Sequence, residues 1–311
     1  MKANAVLSLT AAVSVAIASP VQACSICRCG DPTFNALGKE GVAQTGWRFA
    51  LDWDQVKKTQ GDPAGDFDAV RERRTTALAA WGVSDRFGVF ARVPYGERDL
   101  TETEAGISES THASGLADPE IYAQARLWSS LFEGDVGVRT SLYAVFGVKT
   151  PWGENNAKEA GVRLDEHVQP GTGSTDWFGG LSASYQVTPS SAVFASAQYR
   201  HTGTNDYDYR YGRIVLVNLA YEHKLTSRLD GVVEVNYRHA GKDRIDDLGE
   251  LDADTGGSIA YFTPRLLFSA GGGWVVRASA QLPLGQSGLN GLQHEKAVIN
   301  FGVTKMFGLG Q

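Results

Sequence analysis

No run after residue 23 of this 311-residue chain approaches the ~20 consecutive apolar residues that a membrane-crossing helix requires. A helical membrane protein is thereby excluded for the body of the chain. Cysteine is scarce as well: the three present stand at positions 24, 27 and 29, so no disulfide framework can brace the rest. Basic residues are outnumbered, 29 Lys and Arg against 35 Asp and Glu for a formal charge of -6. No basic patch with interleaved aromatics stands out, which argues against nucleic acid as a partner. The mean hydropathy of -0.21 excludes much less, because a transmembrane barrel shows lipid only every second side chain.

What is present begins with an export signal. Lys2 supplies a positive start, Ala5 to Ala18 an apolar core, and Val21-Gln22-Ala23 a small-residue cleavage site, the three parts of a secretory signal peptide. The expected organisation is a signal over 1–23, a Cys-containing periplasmic segment over 24–45, and a single membrane domain over 46–311.

That domain is read from its alternation. From Trp177 the odd positions Trp177, Leu181, Ala183, Tyr185 and Val187 are apolar, and Gly180, Ser182, Ser184 and Gln186 between them are small or polar. Such a strand has a different solvent on each side. The turn Thr188-Pro189-Ser190-Ser191 follows, and a second two-faced strand runs to Arg200. The same grammar recurs over 47–54, 76–83, 89–95, 121–127, 135–149, 215–222, 233–238, 261–268, 274–282 and 299–304, twelve strands in all. Links alternate in length: short ones near residues 84–86, 129–134, 188–191, 226–228 and 271–273, long ones over 58–71, 96–115, 150–175, 201–211, 240–257 and 285–295. Short periplasmic turns and long extracellular loops are the habit of outer-membrane barrels. An even strand count with a long first link puts both chain ends on the periplasmic side. Aromatic residues gather near strand ends (Trp47, Trp53, Tyr95, Trp177, Tyr199, Tyr221, Tyr237, Trp274), as a headgroup girdle requires. The expectation is an all-β, twelve-stranded antiparallel transmembrane barrel in a Gram-negative outer membrane, with lipid as its surroundings.

Three constellations carry possible chemistry. Arg48, Asp52, Arg92, Arg126, Arg139, Lys149, Arg200, Glu222, Glu234, Arg238, Arg265 and Arg277 fall on the inward register, where charges can pair or line a polar path. Cys24, Cys27 and Cys29 are compatible with a disulfide in an oxidising compartment, with a soft metal ion or redox partner, or with lipid attachment at Cys24. Acidic residues crowd two loops, Asp243 to Asp254 and Glu97 to Glu109, without the spacing of a calcium loop. The six histidines are scattered; His239 lies on the lipid-facing register with no serine marked as a partner by spacing. No catalysis and no cofactor are expected.

Four segments resemble a family of outer-membrane barrels labelled "MetA-pathway of phenol degradation". They are Ser114-Gly115-Leu116-Ala117-Asp118-Pro119-Glu120, Gly147-Val148-Lys149-Thr150-Pro151-Trp152-Gly153, Gln169-Pro170-Gly171-Thr172-Gly173-Ser174-Thr175-Asp176 and Asp254-Thr255-Gly256-Gly257. Ala117 stands where such segments usually show Gly, and the cysteine-bearing N-terminus is outside the family pattern. The loop glycines read as structural residues, since Gly115, Gly171 and Gly173 permit backbone angles closed to others. The resemblance implies a channel or transporter. The expected cargo is a small solute, an organic or aromatic compound or a metal ion, passing passively through a charged lumen. The competing expectation is a scaffold that presents the CxxCxC segment to a periplasmic redox or metal partner.

Overall fold

The computed structural model describes residues 45–61, 67–104, 106–131, 138–245, 249–251, 255–287 and 294–308; the signal-like stretch and the three cysteines lie outside them. The strands are β1 (Gly46–Gly61), β2 (Phe67–Gly82), β3 (Phe87–Glu104), β4 (Ile107–Leu116), β5 (Glu120–Leu131), β6 (Val138–Lys149), β7 (Lys158–Glu159), β8 (Val162–Arg163), β9 (Asp176–Thr188), β10 (Ser191–His201), β11 (Tyr209–Arg210), β12 (Ile214–Lys224), β13 (Leu229–Ala240), β14 (Arg244–Ile245), β15 (Glu250–Leu251), β16 (Gly257–Gly271), β17 (Trp274–Ser287), β18 (His294–Glu295) and β19 (Val298–Phe307). Twelve of them form a closed antiparallel barrel: β1, β2, β3, β5, β6, β9, β10, β12, β13, β16, β17 and β19. Closure is made by β1, which pairs with β2 from Gly46↔Gly82 to Gly61↔Phe67 and with β19 from Trp47↔Phe307 to Gln55↔Ile299. No unpaired edge is left in the hydrocarbon layer, the condition a spanning sheet must meet.

The alternation sets the inside and the outside. Trp47, Phe49, Leu51, Leu181, Val217, Leu219, Val235 and Phe301 are exposed on the outer wall, and between them on the inner wall Asp52, Asn218, Glu234 and Asn300 are buried. An Arg or Lys on the lipid side would cost about 2–4 kcal/mol at midplane, so a one-residue slip of any strand is strongly disfavoured. At the short-turn end Trp47 stacks on Trp81 with ring centroids 5.6 Å apart, and the Lys305 ammonium sits 5.0 Å above the Trp274 ring. These form part of the expected girdle. On β3 the outer face turns polar beyond Tyr95: Arg73 pairs with Glu97 at 3.3 Å and with Asp99 at 3.1 Å, both half-exposed, which marks the upper edge of the apolar band.

The long side differs from the expected loops at two places. The stretches 58–71 and 96–115 are mostly strand, with β1 and β2 separated only by residues 62–66 and β3 folding back on β4 from Tyr95↔Leu116 to Glu104↔Ile107. Along Glu97 to Thr103 only Leu100 is apolar, so no apolar face announced a strand. Cross-strand hydrogen bonds supply what the pattern lacks, as in Thr101 with Ser110 at 3.1 Å and Thr103 with Ser108 at 2.9 Å.

Candidate functional site

Within the barrel, charged side chains meet one another. Arg277 donates to Asp52 from Nε at 2.8 Å and from Nη2 at 2.5 Å, and to the Thr304 hydroxyl at 2.6 Å. Arg265 pairs with Glu234 at 3.0 Å, while Arg238 and Lys58 share Glu295 at 3.4 and 3.2 Å. Arg92 and Arg200 take the two oxygens of Glu120 at 3.1 and 2.5 Å. Arg48 is half-buried with its guanidinium 5.6 Å from the Phe90 ring centroid, and Glu222 is buried in register between Ala192 and Val232. Arg126 pairs at 2.5 Å with Asp85 of the exposed β2–β3 turn, which places its charge at the periplasmic rim. The side chain of Arg139 lies outside the described residues.

Sequence reasoning missed half of the network. Lys58 and Arg98 fell in stretches taken for loops, Glu72 and Arg74 between the first of these and the strand read from residue 76, and Glu120 and Asp176 stood at strand starts, inside motifs read for their glycines. Among the described residues nine buried Lys and Arg stand against eleven buried Asp and Glu, and three of these acids, Asp118, Glu166 and Asp243, lie in links. The buried charges of the strands are thus nearly balanced, nine basic against eight acidic.

Three of the four motif segments converge on one aspartate. Asp118, in the link before β5, accepts hydrogen bonds from the Gly153 amide at 3.0 Å, the Thr172 amide at 2.7 Å, the Thr172 hydroxyl at 2.6 Å and the Lys149 ammonium at 2.9 Å. Lys149 also donates to Thr172 Oγ1 and to Ser174 Oγ and pairs with Asp176 at 3.2 Å. All five side chains are buried. Burial alone would raise the Asp118 carboxyl; the Lys149 charge and the Thr172 donors outweigh it and hold the group below the usual carboxylate range. A Cβ on Gly171 would stand 2.8 Å from the Gly153 Cα and one on Gly153 would stand 2.6 Å from the Asp118 amide. The glycines therefore bring three chain segments together. Of the three expected to hold angles closed to other residues, only Gly173 has a positive φ, of +66°; Gly171 is required instead by close approach.

From this latch the link 150–175 reaches to the inner face of β3, where Arg98 donates to the His167 carbonyl at 3.2 Å and to the Gln169 carbonyl. Other links bind it: Tyr211 donates to the Glu166 carbonyl at 2.9 Å and Asn205 to the Thr172 carbonyl at 3.0 Å. Tyr209 donates to Asp243 at 2.8 Å, tying the 241–256 link to the same cap. Asp243, first of the acidic residues crowding its loop, is buried and also accepts from the Gly212 amide at 2.6 Å. Its signal was hidden, because a carboxylate that organises a loop looks in sequence like one that faces water.

One inward strip stays partly open. Gly180, Ser182, Ser184 and Gln186 of β9 and Ser196 and Gln198 of β10 are half-buried, whereas the inward residues of β12 and the middle of β13 are buried. Ser182 stands opposite Ser196; Ser182 accepts from Gln124 at 3.4 Å and Ser196 from Asn218 at 3.0 Å. Beside the strip a register row runs Phe90↔Tyr122, Tyr122↔Gly147, Gly147↔Phe178 and Phe178↔Arg200. Phe90 and Tyr122 stack at 4.7 Å and Arg200 lies 5.0 Å from the Phe178 centroid.

His239 has a serine partner after all: its Nδ1 lies 2.8 Å from Ser258 Oγ, directly across the β13–β16 pair. Spacing could not mark it, since the two are 19 residues apart. Among the described residues no carboxylate or amide engages the other ring nitrogen in the role of the orienting third group of a hydrolytic triad.

A closed barrel with two different surroundings, short turns at one end and an ion-paired interior under a loop cap defines an outer-membrane β-barrel protein. A family profile described as "Putative MetA-pathway of phenol degradation" matches residues 57–301. The chain belongs to that family. Among solved structures it is similar to an outer membrane channel from Pseudomonas putida F1, at 11% identity and a TM-score of 0.64, covering 87% of this chain and 100% of that one. It is also similar to the toluene transporter TbuX of Ralstonia pickettii, at 10% identity and a TM-score of 0.45 over 85% of this chain and 90% of that one. The translocator domain of the autotransporter NalP from Neisseria meningitidis gives 12% identity and a TM-score of 0.46, over 85% of this chain and 89% of that one. No curated protein matches the chain in sequence.

Proposed function

We propose that the protein is a passive, non-enzymatic outer-membrane channel for small solutes, and that they move along the uncharged strip of β9 and β10. The observation that carries this reading is the half-buried Gly180, Ser182, Ser184, Ser196 and Gln198 face in a wall whose charged residues are largely buried in pairs. Small hydroxyl and amide groups exchange hydrogen bonds with a passing solute without the cost of separating ion pairs. Arg and Glu engaged with each other hold the wall and offer little net charge, so weak ion preference is expected. The family's description motivates phenolic compounds as the first solutes to try.

Purified protein in planar bilayers should show discrete conductance steps, with a reversal potential near zero in a salt gradient. Ser182→Trp or Ser196→Trp should cut conductance several-fold, because an indole there fills the strip from either strand. Ala195→Trp, on the exposed outer wall, should leave it unchanged. Flat traces from the unaltered protein, together with no solute-driven swelling of vesicles carrying it, would count against the channel.

A further inference from the structure

On the outer wall at the long-link end, strand register lines up rows of outward-facing side chains across β19, β1, β2 and β3. One row holds Phe301, Trp53, Thr75 and Tyr95, with the Trp53 and Phe301 rings stacked at 6.2 Å. It forms part of the upper aromatic girdle. The next row holds Gln55, Arg73 and Glu97, and the one beyond it Lys57, Arg71, Asp99 and, on β4, His112. Lys57 stands about 13 Å further along the strand than Trp53, the height at which lipid headgroups have replaced hydrocarbon.

The charges of this upper row are unevenly matched. Lys57 and Arg71 face each other directly across the β1–β2 pair, and both are exposed. Lys296, also exposed, lies beside them, since its amide donates to the Lys57 carbonyl at 2.8 Å. Like charges in one cross-strand pair repel. Asp99, in register with Arg71, does not relieve them: it is taken by Arg73 at 3.1 Å and by His112 Nδ1 at 2.7 Å. Glu97 is likewise taken by Arg73. Among the described residues no carboxylate lies within ion-pair distance of the Lys57, Arg71 or Lys296 side chains.

We infer that Lys57, Arg71 and Lys296 form a binding site for the phosphate of a phosphorylated glycolipid in the outer leaflet. An anion seated between Lys57 and Arg71 turns their repulsion into two attractions. Arg71 offers a planar fork that matches phosphate oxygens, and the two lysines add point charges. The acyl chains of the same molecule fall on the wall below, where Leu51 and Phe301 are exposed. A free phosphate gains the charges alone; a lipid gains the apolar contact as well, and that selects the lipid as the source.

The test uses the full mature chain in detergent, with bisphosphorylated lipid A as the probe and native mass spectrometry as the readout. The parent protein should retain bound lipid A. Lys57→Gln combined with Arg71→Gln should weaken binding about tenfold, the scale expected for two basic residues at an anionic surface. Lys224→Gln, exposed at the short-turn end, should leave it unchanged. Equal affinity of the parent and the double variant overturns the inference, as does equal binding of lipid A stripped of its phosphates. Displacement of lipid A by an equal concentration of inorganic phosphate overturns it too, since it would mark a site for free anions. Should the double variant fail to fold, Lys296→Gln supplies the comparison: a loss of about fivefold supports the site, and no loss overturns it. Lipid binding is read apart from conductance, so the result stands whether or not the protein conducts.

Discussion

Asp118→Ala is expected to lower the unfolding free energy of the barrel by about 3 kcal/mol, near the low end for removing one partner of a buried pair. Four donors lose their acceptor at once: the Gly153 amide, the Thr172 amide and hydroxyl, and the Lys149 ammonium. Asp176 remains 3.2 Å from Lys149, which keeps the loss from being larger. The consequence reaches the cap, because Thr172 belongs to the link whose Thr172 and Glu166 carbonyls accept from Asn205 and Tyr211. Higher and noisier conductance should therefore accompany the lower urea midpoint in vesicles. Asp118→Asn keeps an acceptor and loses the charge, so about half the destabilisation is expected. An alanine variant with an unchanged midpoint and quiet traces would show that the latch is dispensable.

The same group sets a pH window. A carboxyl whose folded pKa is depressed contributes stability that is complete above its unfolded value and is lost as pH falls through the lower folded one. For Asp118, which stands outside the membrane-spanning strands, the cap should be indifferent to pH from neutral down to about 4, the ordinary aspartate value. It should loosen only in stronger acid. Conductance followed across that range tests the sign: loosening between pH 7 and 5 would place the titrating group elsewhere.

Gly147→Ala is the second large effect, and it acts on assembly. The added methyl would meet the Tyr122 Cβ, the Phe178 Cζ at 2.5 Å and the Ile121 carbonyl oxygen at 2.8 Å. A ring can move; the Ile121 backbone oxygen, held in the β5–β6 ladder through Ile121↔Val148, cannot. Overpacking of this kind costs about 1–3 kcal/mol, and here it falls in a row that joins β5, β6 and β9. The heat-modifiable folded band on a gel should fall to a minor fraction. Adding Phe178→Ala should restore part of it, because that change removes the ring contact and leaves the backbone one. A single variant that folds like the parent would mean that the row yields more readily than its close approaches imply.

The two stretches the sequence misread share a physical cause. Along Lys58 to Arg71 and Gly96 to Gly115 the strands have left the hydrocarbon, so both faces meet water or polar neighbours and alternation of hydropathy fades, while the hydrogen-bond ladder continues. Glu120 and Asp176 were passed over for a related reason. Each stands first in its strand, inside a Gly- and Pro-rich motif, where sequence reasoning sees the backbone's needs before the side chain's. The expected signal peptide and the state of the three cysteines belong to residues outside those the structure describes.

What the residues determined unaided was the wall. Two solvents on the two faces of each strand force apolar and polar side chains to alternate, and the alternation fixed the twelve strands, the inward register of Asp52, Arg92, Lys149, Arg200 and Arg277, and the sorting of short and long links. Only the tertiary structure decided who meets whom inside. Glu120 receives Arg92 from the neighbouring strand and Arg200 from β10, Lys58 finds Glu295 across the β1–β18 pair, and Asp118 gathers two distant segments, because strand register, closure and loop path set the partners, and on these hydropathy along one strand is silent.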